Sequence, residues 1–113
     1  MHELTLAKDL WEVIKNKVDN LSKLRKIKIR VGKASGIDKE FLRHSFLDHI
    51  FPENGLNFLE LELLDEDILL RCKSCKKDLT EVNSLNCPFC GLKDIQIVKG
   101  DKVYIESIEI SSQ

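Results

Sequence analysis

Arg71-Cys72-Lys73-Ser74-Cys75-Lys76-Lys77-Asp78 and, further on, Asn86-Cys87-Pro88-Phe89-Cys90-Gly91 carry all four cysteines of the chain, as two C-x2-C pairs with eleven residues between them. Each pair can curl its backbone so that two thiolates point at one ion, and two such knuckles facing each other supply a tetrahedral S4 site suited to zinc. Gly91, directly after the second pair, eases the tight turn there because glycine tolerates positive φ. Iron in an S4 site and a redox disulfide are the competing readings. Neither accounts for four cysteines so paired, and a thioredoxin-like motif needs a βαβ context. Four protein sulfurs at Cys72, Cys75, Cys87 and Cys90 close the coordination shell, so this zinc reads as structural, with no position for substrate or activated water. From Arg71 to about Lys93 aliphatic residues are sparse. Such a module cannot fold on apolar burial alone, and metal binding becomes its folding free energy.

On either side of the cysteines the sequence reads as a small α+β layer. Leu4, Ala7, Leu10, Trp11, Ile14, Val18 and Leu21 form one stripe of an amphipathic helix over residues 4–21, with Lys8, Glu12, Lys15 and Asp19 facing water. Ile27, Ile29 and Val31 alternate with Lys26, Lys28 and Arg30 as a half-buried strand. Asp38 is placed to cap a second helix running to about His49, with Phe41, Leu42, Phe46 and Ile50 as its buried face and Phe51-Pro52-Glu53-Asn54-Gly55 as its breaker. Leu59, Leu61 and Leu63 alternate with glutamates as a second strand, and 103–110 is a third whose alternation slips at Ser107, predicting a bulge. The expected architecture is two helices packed on a sheet of about three strands, with the cysteine module inserted before the last strand. Trp11 and Tyr104 read as packing residues.

The chain has 113 residues and 13.0 kDa, with 42% hydrophobic and 33% charged residues, which excludes a disordered tail and leaves no room for a large enzyme core. Net charge is -1 and the pI about 6.3, so no global field draws it to nucleic acid or membrane. The basic residues Lys23, Arg25, Lys26, Lys28, Arg30 and Lys33 face the acidic Glu60, Glu62, Asp65, Glu66 and Asp67 in the pattern, and read as cross-strand partners on one solvated face. No stretch has the length of a membrane span, and Met-His-Glu-Leu has no signal-peptide character, so a cytoplasmic protein is expected, in which cysteines serve metals rather than disulfides. Gly32-Lys33-Ala34-Ser35 lacks the phosphate-loop frame, and an enzyme reading finds no support.

Met1-His2-Glu3 is the stretch with functional content. The Met1 α-amine, the deprotonated His2 amide and His2 Nδ1 can chelate one ion in adjoining five- and six-membered rings, and Glu3 can add its amide nitrogen or carboxylate. A planar nitrogen set suits Ni(II) or Cu(II). Chains beginning Met-His also arise by chance, so spacing alone leaves nickel a minority reading. His44 and His49 are five apart, a spacing that does not share a helix face well. His49 therefore reads as a half-buried core residue and His44 as the surface partner of Asp48. Asp38 reads as a cap, whose oxygen can complete a nickel shell if its turn folds over the N-terminus. Arg71, Lys73, Lys76 and Lys77 form a local basic patch that leaves an alternative open, a zinc-ribbon adaptor for nucleic acid or a transcription partner. No aromatics interleave those lysines for base stacking.

Met1-His2-Glu3-Leu4-Thr5-Leu6-Ala7 opening a helix, the paired cysteines after the second strand and the closing Ser107-Ile108-Glu109-Ile110 together resemble the HypA/HybF family over essentially the whole chain. These are nickel metallochaperones of [NiFe]-hydrogenase maturation. The resemblance implies a nickel site at Met1, His2 and Glu3 and a structural zinc at Cys72, Cys75, Cys87 and Cys90. It implies a nickel-binding α+β domain of residues 1–70 plus 95–113, with a zinc-ribbon domain of residues 71–94 inserted. It also implies work with a HypB-type GTPase to load the hydrogenase large subunit; in some bacteria, family members also feed urease, which brings in urease accessory proteins. Neither nucleic acid nor membrane is among the implied partners. Lys76, where many relatives carry glycine, departs from the pattern and puts the geometry of that turn in question.

Overall fold

The computed structural model describes residues 3–79 and 86–111. Strand β1 (Leu24–Gly32) is its axis: Ile27 and Ile29 are fully buried, while Lys26, Lys28 and Arg30 lie on the opposite, half-exposed face. Strand β2 (Glu60–Glu66) runs parallel to it, with Ile27 opposite Leu61 and Ile29 opposite Leu63. A parallel pair requires a crossover connection, and the second helix provides it. The third strand of this sheet, Val103–Ile110, lies antiparallel on the other edge of β1. Its bulge falls one residue before the expected Ser107: Lys28 pairs with Ser107 and Ile29 with Ile105, so Glu106 is the extra residue. The slip keeps Val103, Ile105 and Ile108 all packed against the core despite their broken alternation.

Helix α1 (Glu3–Lys17) buries Ala7, Leu10, Trp11 and Ile14 against that sheet. It stops short of the 21 expected from periodicity. A 3-10 turn at Leu21–Lys23 follows, capped by Asn20, and Val18 and Leu21 reach the core from outside the helix. The second helix begins as α2 (Lys39–His44), where the Asp38 carboxylate accepts from the N–H groups of Glu40 at 2.9 Å and Phe41 at 3.3 Å. It runs past His49 and ends inside the expected breaker, with Glu53 its last residue, Asn54 its C-cap and Gly55 at φ 72°. Residues Ser45–Ile50 form a π-helical stretch, and one more α turn, Phe51–Glu53, carries the helix past the proline.

Two local causes favour this widening. The buried Ser45 hydroxyl donates to the Phe41 carbonyl at 3.0 Å, competing for a backbone acceptor and bending the helix. Pro52 has no N–H, and in an α-helix its ring would strike the carbonyl four residues back, at Asp48; a wider turn moves that carbonyl aside. The Phe51 N–H accordingly donates to Phe46, five residues back. In an α-helix residues i and i+5 lie about 140° apart. Here the π spacing turns Phe46 and Phe51 to one side, with ring centroids 5.6 Å apart, and Phe51 meets Trp11 edge-on at 5.9 Å. Burying each of these large side chains is worth roughly 1.5–3 kcal/mol. Phe41, expected on the buried face, is instead 62% exposed, because the apolar stripe runs through Leu42, Phe46, Ile50 and Phe51.

The cysteines belong to a second sheet. Strand β3 (Leu69–Cys72) is its centre, between β4 (Asp78–Leu79) and β5 (Ile95–Lys99), both antiparallel to it; the last strand of the chain, Val103–Ile110, is then β6. Its small core is Cys72, Leu79 and Cys87, with Leu70, Cys75 and Ile95 packed around them. Leu69, Leu70 and all of Ile95–Lys99 therefore belong to the sheet of the cysteine module, and the two sheets meet around Asp67 and Gly100. That junction is tight. Ala34 N–H donates to Gly100 at 2.7 Å, Gly32 N–H to Lys102 at 2.9 Å, and Gly100 N–H to the Glu66 carboxylate at 3.0 Å. Gly100 has φ +93°, and a Cβ there would lie 2.6 Å from the Asp67 carbonyl oxygen. Tyr104 does not pack in a core: it is half-exposed and its hydroxyl donates to Glu66 at the same junction.

The charged face is a three-strand ladder with the basic strand in the middle. Lys26 and Lys28 reach Glu62 of β2, while Lys28 and Arg30 reach Glu106 of β6, Arg30 Nε at 2.8 Å. The expected pairing with β2 is present, and Glu106, presented by the bulge, doubles it. Among the described residues, no helix is long and apolar enough to cross a membrane.

Candidate metal centre

The two cysteine knuckles have one geometry built from unlike sequences. Lys76 N–H donates to the Cys72 carbonyl at 2.9 Å and Cys72 N–H to Lys77 at 3.1 Å; Gly91 N–H donates to Cys87 at 2.8 Å and Cys87 N–H to Leu92 at 2.9 Å. Both turns pass through the left-handed region, Gly91 at φ 77° and Lys76 at φ 65°. Lys76 is thus a lysine where its counterpart is glycine, and the turn closes regardless. The first knuckle is tied to the entry of β5 by Lys73 N–H to the Asp94 carbonyl at 2.8 Å and Ser74 Oγ to the Asp94 carboxylate at 2.9 Å.

The four Sγ atoms all lie within 4.8 Å of one another, with Cys72 to Cys90 at 3.5 Å and Cys75 to Cys87 at 3.7 Å. These separations are far beyond a disulfide bond of about 2.05 Å. A tetrahedral ion with metal–sulfur bonds of about 2.3 Å sets its ligands about 3.8 Å apart, which the observed pairs approach. The electrostatics agree. Burial pushes the Cys87 thiol up, but the N–H groups of Cys90 and Phe89 and the neighbouring thiols outweigh it and hold it down to about 6. Cys90 is drawn down by the Leu92 N–H, yet burial and the crowding of Cys72 and Cys87 push it up to about 12. Cys75, despite the Lys77 N–H, also ends above its ordinary value. Four sulfurs this close cannot all ionise without a cation among them. A thiophilic ion that takes four ligands fits this set.

The basic patch beside the knuckle is partly spent within the module. Arg71 Nε contacts Asp78 at 2.6 Å, and Lys77 Nζ sits 4.4 Å from the centroid of the Phe89 ring.

At the other candidate site, Met1 and His2 lie outside the described residues, and Glu3 is the first residue of α1. Its carboxylate accepts from the Asp38 backbone N–H at 3.3 Å, so the turn preceding the second helix does fold against the start of α1. Asp38 caps its helix as expected. Glu3 also lines an open hollow of about 190 Å³ with Leu4, Phe41, His44, Ser45 and His49.

The two histidines correct the expectation from their spacing. His49 is exposed, not half-buried, and its ring lies 5.3 Å from that of His44 at 86° between planes. Five residues share a side here because the helix is π-helical between them. The sequence signals for it were Ser45 and Pro52, whose local effects periodicity does not register. His44 Nδ1 contacts the Asp48 carboxylate, as expected of a surface pair.

Residues 1–110 match the family model described as hydrogenase/urease nickel incorporation, metallochaperone, hypA. The chain is 32% identical to the hydrogenase maturation factor HypA of Beijerinckia indica, covering 97% of this chain and 99% of that protein. It is 31% identical to the HypA of Francisella philomiragia, covering 96% and 97%. Its fold is similar to the solution structure of the nickel metallochaperone HypA from Helicobacter pylori, with a TM-score of 0.71 at 21% identity and full coverage of both chains. A match over nearly the whole length, in both the helical layer and the cysteine module, places the chain in the HypA family of nickel-incorporation metallochaperones.

Proposed function

We propose that the chain carries Ni(II) on its N-terminus and delivers it during [NiFe]-hydrogenase maturation. The ion is held by the Met1 amine, the His2 amide and imidazole, and Glu3. The observation that carries this reading is the family match beginning at residue 1, so that the Met-His-Glu triplet falls inside the matched region. The contact of the Glu3 carboxylate with the Asp38 N–H supports it, because it ties the start of α1 to the turn before the second helix. An N-terminal chelate uses few side chains and exchanges ligands one at a time, which suits hand-over to a partner. Cys72, Cys75, Cys87 and Cys90 hold Zn(II), whose chemistry there is the stabilisation of the module's fold.

The recipient is the hydrogenase large subunit, with urease as a second recipient, and a HypB-type GTPase supplies the nucleotide chemistry for which this chain has no phosphate loop. The transfer takes place in the cytoplasm. Nickel requires a neutral imidazole and a deprotonated amide, so affinity falls as pH drops through the imidazole range.

Calorimetric nickel titration of untagged, zinc-loaded protein tests the site. One tight nickel equivalent is expected, lost in His2→Ala and in a chain with one residue added before Met1. Equal binding by all three chains overturns the N-terminal assignment, and pH-independent affinity from neutral to pH 5 contradicts its chemistry.

A further inference from the structure

The paired imidazoles of His44 and His49 have no role in the fold or in the N-terminal chelate as described. Both are exposed, and they are brought together by a local widening of the helix. We propose that His44 and His49 form a bis-imidazole site for a borderline divalent transition-metal ion such as Ni(II). The inference deepens the nickel reading and rests on it only for the identity of the ion.

Three features support it. An imidazole nitrogen about 2.0–2.1 Å from an ion places the ring centroid about 3.2 Å from it, so two imidazoles sharing one ion at 90–110° have centroids about 4.5–5.3 Å apart. The observed separation is 5.3 Å. His44 Nδ1 is engaged by Asp48, which fixes the ring and leaves Nε2 as the ligating atom; such a carboxylate behind a histidine raises its basicity as a ligand. Finally, both rings line one open hollow of about 190 Å³, which leaves room for an ion and its waters. Two imidazoles and water make a mixed nitrogen–oxygen set that suits nickel, cobalt and zinc. Glu3, which belongs to the proposed N-terminal set, lines the same hollow as the histidine pair. The pair can serve as the point where the ion arrives or departs.

The test compares zinc-loaded, untagged chains titrated with Ni(II): wild type, His2→Ala, His2→Ala with Asp48→Asn, and His2→Ala with His44→Gln and His49→Gln. Histidine-ring resonances are followed for paramagnetic broadening, and far-ultraviolet circular dichroism checks the fold, which exposed substitutions should leave intact. His2→Ala is expected to retain a nickel site that broadens both rings, weakens about tenfold on Asp48→Asn and is lost with the two glutamines. If His2→Ala and the triple variant bind nickel equally, or neither binds it, the inference is overturned. The N-terminal reading then stands or falls separately, on whether His2→Ala has lost the tight site of the wild type.

Discussion

Replacing Lys76 tests whether the first cysteine knuckle works against its own sequence. Lys76 holds φ 65° at the place where the second knuckle has Gly91 at φ 77°. A side chain with a Cβ in the left-handed region costs about 1–2 kcal/mol. Glycine removes that cost but loses roughly 0.5–1 kcal/mol more conformational freedom on folding. The net gain of glycine over alanine here is therefore about 0.5–1 kcal/mol. With folding of the module coupled to the proposed zinc, the gain should be read as zinc affinity about two- to fivefold higher. The comparison must be Lys76→Gly against Lys76→Ala, since both remove a positive charge from beside the thiolates and differ only in backbone preference. Competition with a chromophoric zinc chelator gives the ratio directly. Gly91→Ala should weaken binding by a similar factor, because its counterpart position has the same hydrogen bond to the preceding cysteine carbonyl. If Lys76→Gly binds no tighter than Lys76→Ala, the left-handed turn is not a strained one and the equivalence of the two knuckles has no energetic content.

Other perturbations follow from the same geometry. Stripping the metal should abolish hydrogen-exchange protection in β3, β4 and β5 while β1, β2 and β6 keep theirs, because the two sheets have separate cores; uniform loss across both would refute that separation. Gly100→Ala should cost at least about 2 kcal/mol in urea unfolding, since a Cβ at φ +93° meets the Asp67 carbonyl at 2.6 Å and no flexible side chain can yield. The Cys87 thiol is held down from its ordinary 9.0 to about 6, so its thiolate is present above that value and lost as pH falls through it; zinc capture by stripped protein, followed by stopped flow, should slow markedly from pH 7 to pH 5. Glu106→Gln removes the carboxylate that raises Arg30 and pairs with Lys28, and should lower thermal stability modestly at low salt but hardly at all in high salt.

The parts of this fold legible in sequence are those where one physical effect dominates. Ile27, Ile29 and Val31 alternate because one face of β1 is core and the other is not, and that strand, its parallel neighbour and the bulged last strand lie close to expectation. The cysteine pairs were equally plain, as four soft ligands at a spacing little else explains. What escaped was set by competition between local effects. The breaker at 51–55 does end the second helix, but only after Pro52, because a helix that widens before the proline can carry it, and Ser45 takes the carbonyl that lets the widening begin. From that one deviation follow the exposed His49 and the pairing of residues five apart. Tyr104 was misplaced for a different reason: its partner Glu66 is 38 positions away in sequence, and only the junction of the two sheets brings them together.

The two metal environments are separated by chemistry as well as by position in the chain. The four sulfurs, two of them buried in a small apolar core, supply a complete tetrahedral donor set for a thiophilic ion, which leaves no open position for exchange. In the proposed nickel region Glu3 is half-buried and the His44 and His49 imidazoles are exposed, so the rings can leave or join an ion without disturbing a core residue. A carrier needs both properties and cannot have them in one site, because tight enclosure slows release and open coordination cannot stabilise a fold. Hard selection by affinity is not available either, since copper outcompetes nickel for any nitrogen set. Selectivity must then come from which protein approaches the open site, and the exposed rings of His44 and His49 beside Glu3 lie on the surface that such a partner would have to meet.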